Sequence, residues 1–273
     1  MKCHQSMAVL SMDVGDKDDS EYRLLIDGKV KYVTISPRTY DRNTLSAPLE
    51  SLPALPKAKE WNIAFISRDP FTNELKTRLS NRELVGVHEL WHPKSVDCLT
   101  LTKVKQLSAN VSEVTVSGNQ GSDSSVSLSS GTTAILKIAR FEREIPRIVQ
   151  ETIAYRLLAE SGLAPRFLGH VHEHGRVIGI LMEKVEGREA SIDDLQVCKD
   201  AVQRFHKLGL LHGDVNKYNF IVHNGAAKLI DFENSRAHLD DCSTRQSELA
   251  SLDTHLQEKT GRGGGFTPME HSS

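Results

Sequence analysis

The chain has 273 residues and is 38% hydrophobic, enough to bury the core of one large domain or two small ones. Its 34 basic and 36 acidic side chains give a formal charge of −2. No global field therefore attracts nucleic acid or an anionic membrane, and neither is an expected partner. The first residues lack a signal-peptide pattern, and no apolar run approaches the roughly 18 residues of a membrane span, which predicts a cytoplasmic protein with the nucleus as an alternative. The cysteines have no metal-ligand spacing and are expected to be reduced thiols: Cys3, Cys98, Cys198 and Cys242.

The first 95 residues predict a β-rich extension. Asp27-Gly28 separates two strand-like runs and is a strong hairpin signal. Residues 36–60 are rich in proline and have little periodicity, which is typical of a linker or surface loop. Another strand is predicted from Trp61. No motif assigns a role to residues 1–95, which we treat as a candidate surface for a protein partner.

Denser strand patterns begin at Val96. Strand-like runs cover residues 96–108, 110–118 and 132–141. The stretch 117–131 is rich in serine and glycine and cannot bury much apolar surface, so we expect a flexible excursion there.

Two amphipathic helices follow, separated by a hairpin at His174-Gly175. The first is predicted over residues 142–162, with Gly162 as its C-terminal cap. Its predicted buried face consists of Ile145, Val149, Ile153 and Leu157, with Ile148 and Leu158 flanking them. The second begins with a capping box formed by Ser191 and Asp194 and ends at Gly209. Its predicted buried face consists of Leu195, Cys198, Val202 and Phe205.

Three histidines alternate along one predicted strand: His170, His172 and His174. Alternation places them on one face, which is compatible with a metal site. No fourth ligand is near in sequence, so a solvent-facing strand is the favoured interpretation.

The segment from Leu210 to Glu233 carries acids in an otherwise apolar stretch. If Asn224-Gly225 forms a two-residue turn, the flanking strands pair antiparallel and bring Asn219 and Asp231 to the same end of a hairpin. Amide and carboxylate oxygens are ligands suited to Mg²⁺. Asp214 precedes this hairpin on a loop, where a carboxylate can accept a proton from a substrate hydroxyl. The alternative for Asp214 alone is an ordinary turn or capping acid.

These residues resemble the motifs of the protein-kinase-like superfamily. His212, Asp214 and Asn219 match its H-x-D-x-x-x-x-N loop, and Asp231-Phe232 matches the start of its D-F-G motif. The resemblance implies that Asp214 orients the acceptor hydroxyl, that Asn219 and Asp231 hold Mg²⁺, and that ATP is the donor. The implied fold is α+β and two-lobed, with a β-rich N-lobe and a truncated helical C-lobe.

Upstream residues extend the resemblance. Lys137 follows Ala134-Ile135-Leu136 as in the V-A-I-K strand, which implies a contact with the nucleotide phosphates; the alternative is a lysine on an edge strand. Glu151 is the favoured ion-pair partner of Lys137, with Glu142 and Glu144 as rivals. Glu183 and Val185 lie where the family's hinge meets the adenine.

The resemblance covers residues 96–256 and is closest to aminoglycoside-phosphotransferase-type and small atypical, RIO-like kinases. It divides the chain into an N-lobe at residues 96–186, a reduced C-lobe at 187–256 and a flexible tail at 257–273. A glycine-rich phosphate loop is missing, and Glu233 replaces the glycine of D-F-G.

These features predict a kinase that transfers the γ-phosphoryl group of ATP to a hydroxyl of a small molecule or of a protein serine or threonine. The rival hypothesis is a weakly active or inactive pseudokinase that serves as a nucleotide-binding scaffold. The intact set formed by Lys137, Glu151, Asp214, Asn219 and Asp231 favours the enzyme.

Overall fold

The computed structural model describes residues 7–48, 55, 60–116, 126, 132–237 and 242–259. The chain divides into two units, Met1–Val85 with Arg140–Glu142 and Gly86–Ala139 with Arg143–Ser273. Within the described ranges, no helix combines the length and the apolar character needed to cross a membrane.

The first unit contains a five-stranded sheet whose strands follow the order of the chain. They are β1 (Met7–Asp13), β2 (Ser20–Ile26), β3 (Lys29–Ile35), β4 (Ile63–Arg68) and β5 (Leu75–Ser80). The predicted hairpin joins β2 and β3, with positive φ angles of 48° at Asp27 and 78° at Gly28. Strands β3 and β4 are parallel.

The segment between β3 and β4 is more ordered than its proline content predicts. Asp41 caps the short helix α1 (Arg42–Ser46) by accepting a hydrogen bond from the Thr44 N–H group at 2.9 Å. Leu45 of this helix packs into the core beside Tyr22, whose hydroxyl donates to the Leu45 carbonyl at 2.8 Å. The surface-loop interpretation is therefore wrong for this part of the segment.

The second unit begins with a six-stranded sheet of order β6-β10-β11-β9-β8-β7. Its strands are β6 (Ser95–Asp97), β7 (Leu101–Gln106), β8 (Val111–Val116), β9 (Thr133–Ile138), β10 (Phe167–Glu173) and β11 (Arg176–Glu183). Strand β6 pairs in parallel with β10 at one edge, and the other pairs are antiparallel. The predicted His174-Gly175 turn joins β10 to β11.

The Ser/Gly-rich stretch between β8 and β9 lies outside the described residues except at two positions, Val126 and the residue just before β9. Val126 is only 2% exposed and packs against Val96 and Val171. At this position the stretch contributes to the core, which its composition did not predict.

Helix α2 (Ile145–Leu158) follows β9, and its buried face includes Ile145 of the predicted stripe but turns toward the flanking residues further along the helix. Leu157 is 43% exposed, whereas Ile148, Tyr155 and Leu158 are buried. The helix ends four residues before Gly162, and Glu160 also adopts a positive φ of 64° in the connection. The spacing of four residues predicted the first part of the buried stripe, and near the end of the helix the flanking residues pack on the core instead.

The rest of the second unit is mainly helical. Its elements are β12 (Arg188–Glu189), α3 (Leu195–Lys207), β13 (Leu210–Leu211), β14 (Phe220–His223), β15 (Ala226–Leu229), β16 (Arg236–Ala237) and α4 (Cys242–Gln257). The predicted capping box at Ser191 and Asp194 is present, and Cys198, Val202 and Phe205 of α3 are buried. Cys98, Cys198 and Cys242 form no disulfide among the described residues.

The three histidines do not share a solvent-facing surface. Strand β10 has a register shift between Val171 and His172, which breaks the alternation. His170 is 1% exposed, and its ring lies 5.0 Å from Phe167 and 6.5 Å from Trp91 between centroids. Burial lowers the pKa of His170 to about 4.

Candidate active site

Asp214 lies on the loop after β13, and two amide side chains hold its carboxylate. Asn216 Nδ2 donates to one carboxylate oxygen at 3.1 Å, and Asn219 Nδ2 donates to the other at 3.2 Å. Asn219 Nδ2 also donates to the Asp214 backbone carbonyl at 2.8 Å. Gly213 enters this loop with a φ of 80°, and a Cβ atom there would lie 2.5 Å from the Asn234 carbonyl oxygen. The loop therefore requires glycine immediately before Asp214.

The predicted hairpin brings together the two segments that carry Asn219 and Asp231. Strands β14 and β15 pair antiparallel through the Asn224-Gly225 turn, with Phe220 opposite Leu229. The Ile230 N–H group then donates to the Asn219 carbonyl at 3.0 Å. Asn219 and Asp231 consequently flank the same end of this hairpin, as the sequence predicted.

Phe232 fixes the orientation of its two acidic neighbours. Its buried ring lies 5.3 Å from Tyr155 and 5.6 Å from Phe205, and it also contacts His212. Asp231 has a φ of 64°, a backbone conformation that side-chain-bearing residues rarely adopt. Anchored by Phe232, both Asp231 and Glu233 direct carboxylates toward Lys137.

Lys137 lies in β9, between β8 and β11, and is therefore not on an edge strand. Its Nζ is 2.5 Å from Glu151, 2.5 Å from Asp231 and 3.3 Å from Glu233. Burial alone lowers the pKa of the ammonium group, but the surrounding carboxylates outweigh burial and raise it above its ordinary value. Lys137 is thus a fixed positive charge in the interior of the unit.

The ion pair predicted between Lys137 and Glu151 is present, and the rival Glu142 pairs with another residue. Glu151 is 1% exposed and lies on the buried side of α2. Burial raises the pKa of Glu151, and Lys137 acts in the opposite direction. Glu142, in contrast, forms an ion pair with Arg82 of the first unit.

Glu183 and Val185 lie at the end of β11 and in the extended segment after it. The Glu183 N–H group donates to the Arg166 carbonyl, and its side chain accepts from the Arg166 N–H group, both at 2.9 Å. These bonds fix the segment on one side, and the contact with adenine stays a prediction.

One residue that ties the site together was missed by the sequence reasoning. Glu248 of α4 accepts from the N–H groups of Gly213 at 2.7 Å and His212 at 3.3 Å, and it lies 2.6 Å from His206 Nε2. Burial raises the pKa of its carboxyl, but these hydrogen bonds outweigh burial and lower it. No local pattern distinguishes Glu248 from a solvated helix acid. Glu233 entered the sequence analysis only as a departure from the D-F-G pattern.

Three features together define a protein-kinase-like fold. The sheet has a buried lysine in an inner strand, the adjoining helix carries the glutamate partner of that lysine, and a helical part carries the Asp214 loop. This fold and these motifs are similar to those of kinase-like phosphotransferases of the protein-kinase-like superfamily. Residues 180–264 match the family model described as the lipopolysaccharide kinase (Kdo/WaaP) family. This range contains Asp214, Asn219 and Asp231, whereas Lys137 and Glu151 lie before it. No curated protein sequence matches the chain.

Proposed function

We propose that the protein transfers the γ-phosphoryl group of Mg-ATP to a hydroxyl group. The observation that carries this proposal is one continuous network: Lys137 contacts Glu151 and Asp231, and Asn219, next to Asp231 in the hairpin, holds the Asp214 carboxylate. In this assignment Asp214 accepts a hydrogen bond from the acceptor hydroxyl and takes its proton as the oxygen bonds to the γ-phosphorus, while the bond from that phosphorus to the bridging oxygen breaks and ADP leaves. Lys137 donates to the phosphate oxygens and compensates their charge.

The donor set fits magnesium. Asp231 is 39% exposed and offers carboxylate oxygens. Asn219 uses Nδ2 toward Asp214, so its Oδ1 is the atom that would contact the metal. Within the described residues there is no cluster of three or more His, Cys, Asp or Glu side chains arranged to hold a metal. Two protein ligands agree with an ion that keeps several waters and takes further contacts from phosphate oxygens, whose charge it neutralises when bound.

A sugar hydroxyl is the acceptor class that we propose. Its support is the matching family's description, which names lipopolysaccharide, and the position of the match over the Asp214 loop. A site that binds a sugar needs groups that hydrogen-bond to the sugar hydroxyls, but it needs no surface that binds an extended peptide. Protein serine or threonine is the alternative outcome of the experiment below.

The experiment measures Mg²⁺-dependent consumption of ATP by the purified chain, with a glycan pool and a protein pool offered separately as acceptors. We expect labelled phosphate on glycan, and loss of turnover by at least about a hundredfold in Asp214→Ala and Asp231→Ala. Asp200→Ala, a change of an exposed acid on α3, serves as the matched control. Absence of turnover with every acceptor, or equal turnover in Asp214→Ala and wild type, would exclude the proposed reaction. Label on protein only would replace the sugar by a serine or threonine.

The pseudokinase scaffold is a second candidate, favoured by the connection between β7 and β8. This connection is a short turn closed by hydrogen bonds from the Leu107 and Ser108 N–H groups to the Val111 carbonyl, at 2.9 and 3.1 Å. It contains no glycine to approach phosphates closely. A scaffold would be stabilised by Mg-ATP without turning it over, since a ligand that binds only the folded state raises apparent stability.

A further inference from the structure

We propose that Asn216 is a positioning residue that orients the Asp214 carboxylate for proton transfer. The inference rests on the proposed role of Asp214 as the group that accepts the hydroxyl proton. Its basis is the pair of hydrogen bonds to the Asp214 carboxylate, in which Asn216 and Asn219 each donate to a different oxygen.

Asn216 is itself held in place. It is 8% exposed, and its Oδ1 accepts a hydrogen bond from the Tyr218 N–H group at 2.9 Å. This bond caps the short 3-10 turn Lys217–Asn219, from which Asn219 reaches Asp214. One planar amide therefore fixes the turn with its oxygen and the carboxylate with its nitrogen.

The two amides together prevent rotation of the carboxylate. A carboxylate on a loop normally rotates about its Cβ–Cγ bond, which spreads its lone pairs over many directions. With one donor on each oxygen, the carboxylate plane is fixed and the remaining lone pairs face a defined direction. Pre-oriented groups contribute to catalysis because a misplaced base rarely meets the hydroxyl in a reactive geometry.

The chemistry of residue 216 allows the capping bond and the donor bond to be separated. Aspartate accepts from the Tyr218 N–H group as asparagine does, but it cannot donate to Asp214. Alanine does neither. Serine can accept with its oxygen and donate with its proton, so Asn216→Ser retains both functions over a shorter reach.

The experiment compares Asn216→Asp, Asn216→Ala and Asn216→Ser in the full chain, measuring kcat, KM for ATP, Tm and the rise in Tm caused by Mg-ATP. We expect kcat to fall roughly ten- to a hundredfold in both the Asp and the Ala variants, because each loses a hydrogen bond to a charged group. KM for ATP and the rise in Tm caused by Mg-ATP should stay close to those of wild type, and Tm without nucleotide should fall in the Ala variant, which loses the cap. Asn216→Ser should recover part of kcat. Asn73→Asp, the same change in an exposed turn of the first unit, is the control.

Three results would overturn the inference. One is a kcat that follows Tm across the variants, which indicates a capping role alone. Another is a normal kcat in Asn216→Ala, which assigns the loss in the Asp variant to its added charge. The third is a normal kcat in Asn216→Asp. If wild type shows no turnover, the proposed function itself is wrong. If wild type is active and Asp214→Ala inactivates it, the three results above contradict only the role of Asn216.

Discussion

The Glu248 carboxylate on α4 accepts a hydrogen bond from the Gly213 backbone N–H group at 2.7 Å. A helix late in the described chain thereby holds the residue directly before Asp214. The same carboxylate reaches His206 of α3, so two helices and the loop share one buried acceptor.

Replacing Glu248 by alanine should reduce both stability and activity. The change leaves the N–H groups of the buried His212 and of Gly213 without their acceptor. We expect a loss of about 2–3 kcal/mol in the free energy of unfolding, measured by urea titration, because hydrogen bonds to a charged group are lost. Asp253→Ala removes an exposed acid from the same helix and should change the free energy by less than about 0.5 kcal/mol. Equal effects of both variants would contradict the anchoring role.

A double-mutant cycle should show a large coupling free energy between Lys137 and Glu151, because both side chains are buried. Lys137→Met leaves the fully buried Glu151 carboxylate without its nearest cation and should cost about 3–5 kcal/mol of folding free energy. Adding Glu151→Leu removes the unpaired charge, so the double variant should regain most of that loss while staying inactive. Urea titration of the four proteins measures the coupling. Additive losses would show that the two groups do not depend on each other.

Glu233 should weaken binding of nucleotide, because its carboxylate lies 3.3 Å from Lys137 Nζ and competes with phosphate for that ammonium. In Glu233→Gln we expect Mg-ATP to bind about two- to fivefold more tightly, a modest gain for a partly exposed ion pair. Isothermal titration calorimetry measures the Kd, with Glu74→Gln in the first unit as the control. Weaker binding in Glu233→Gln would instead assign Glu233 a supporting contact with the metal.

The buried His170 should make the protein less stable in acid. Its pKa is lowered to about 4 in the folded state by burial, whereas the unfolded histidine titrates near 6.5. Above pH 6.5 the residue has no effect; as pH falls toward 4, the unfolded state binds a proton that the folded state does not. Between pH 7.5 and pH 5 this should cost about 2 kcal/mol of the free energy of unfolding.

His170→Gln tests this dependence, since the glutamine oxygen can replace Nε2 as acceptor of the His92 N–H group. The variant should lose about 2 kcal/mol less than wild type over the same pH interval, by urea titration at both pH values. His88→Gln, at an exposed position, should behave as wild type. An unchanged pH dependence in His170→Gln would mean that His170 titrates normally in the folded protein.

Local chemistry made several elements predictable. The turns at Asp27-Gly28, His174-Gly175 and Asn224-Gly225 require two consecutive positive φ angles, which few residue pairs supply. The last of these turns sets the register that joins Asn219 to Asp231, so part of the candidate site followed from a two-residue signal.

Contacts between elements distant in the chain determine the features that the sequence alone did not predict. Ile145 and Ile148 of α2 both pack on the core, and the same side of the helix also buries Glu151. His170 is buried because Trp91, far away in the chain, lies against its strand. Glu248 contacts Gly213 across 35 residues, and no local spacing encodes that contact. These features depend on how elements meet, which neither periodicity nor capping patterns describe.

Strand β6 determines where the protein can be shortened. It lies at the edge of the kinase-like sheet, pairing Ser95 and Val96 with His170 and Val171 of β10, and Val87 before it belongs to the same core as Phe232. A fragment beginning after β6 would expose the backbone donors and acceptors of β10 and open an edge to association with other chains. The second unit starts at Gly86, ten residues before the kinase resemblance begins, and a shortened chain should keep that start.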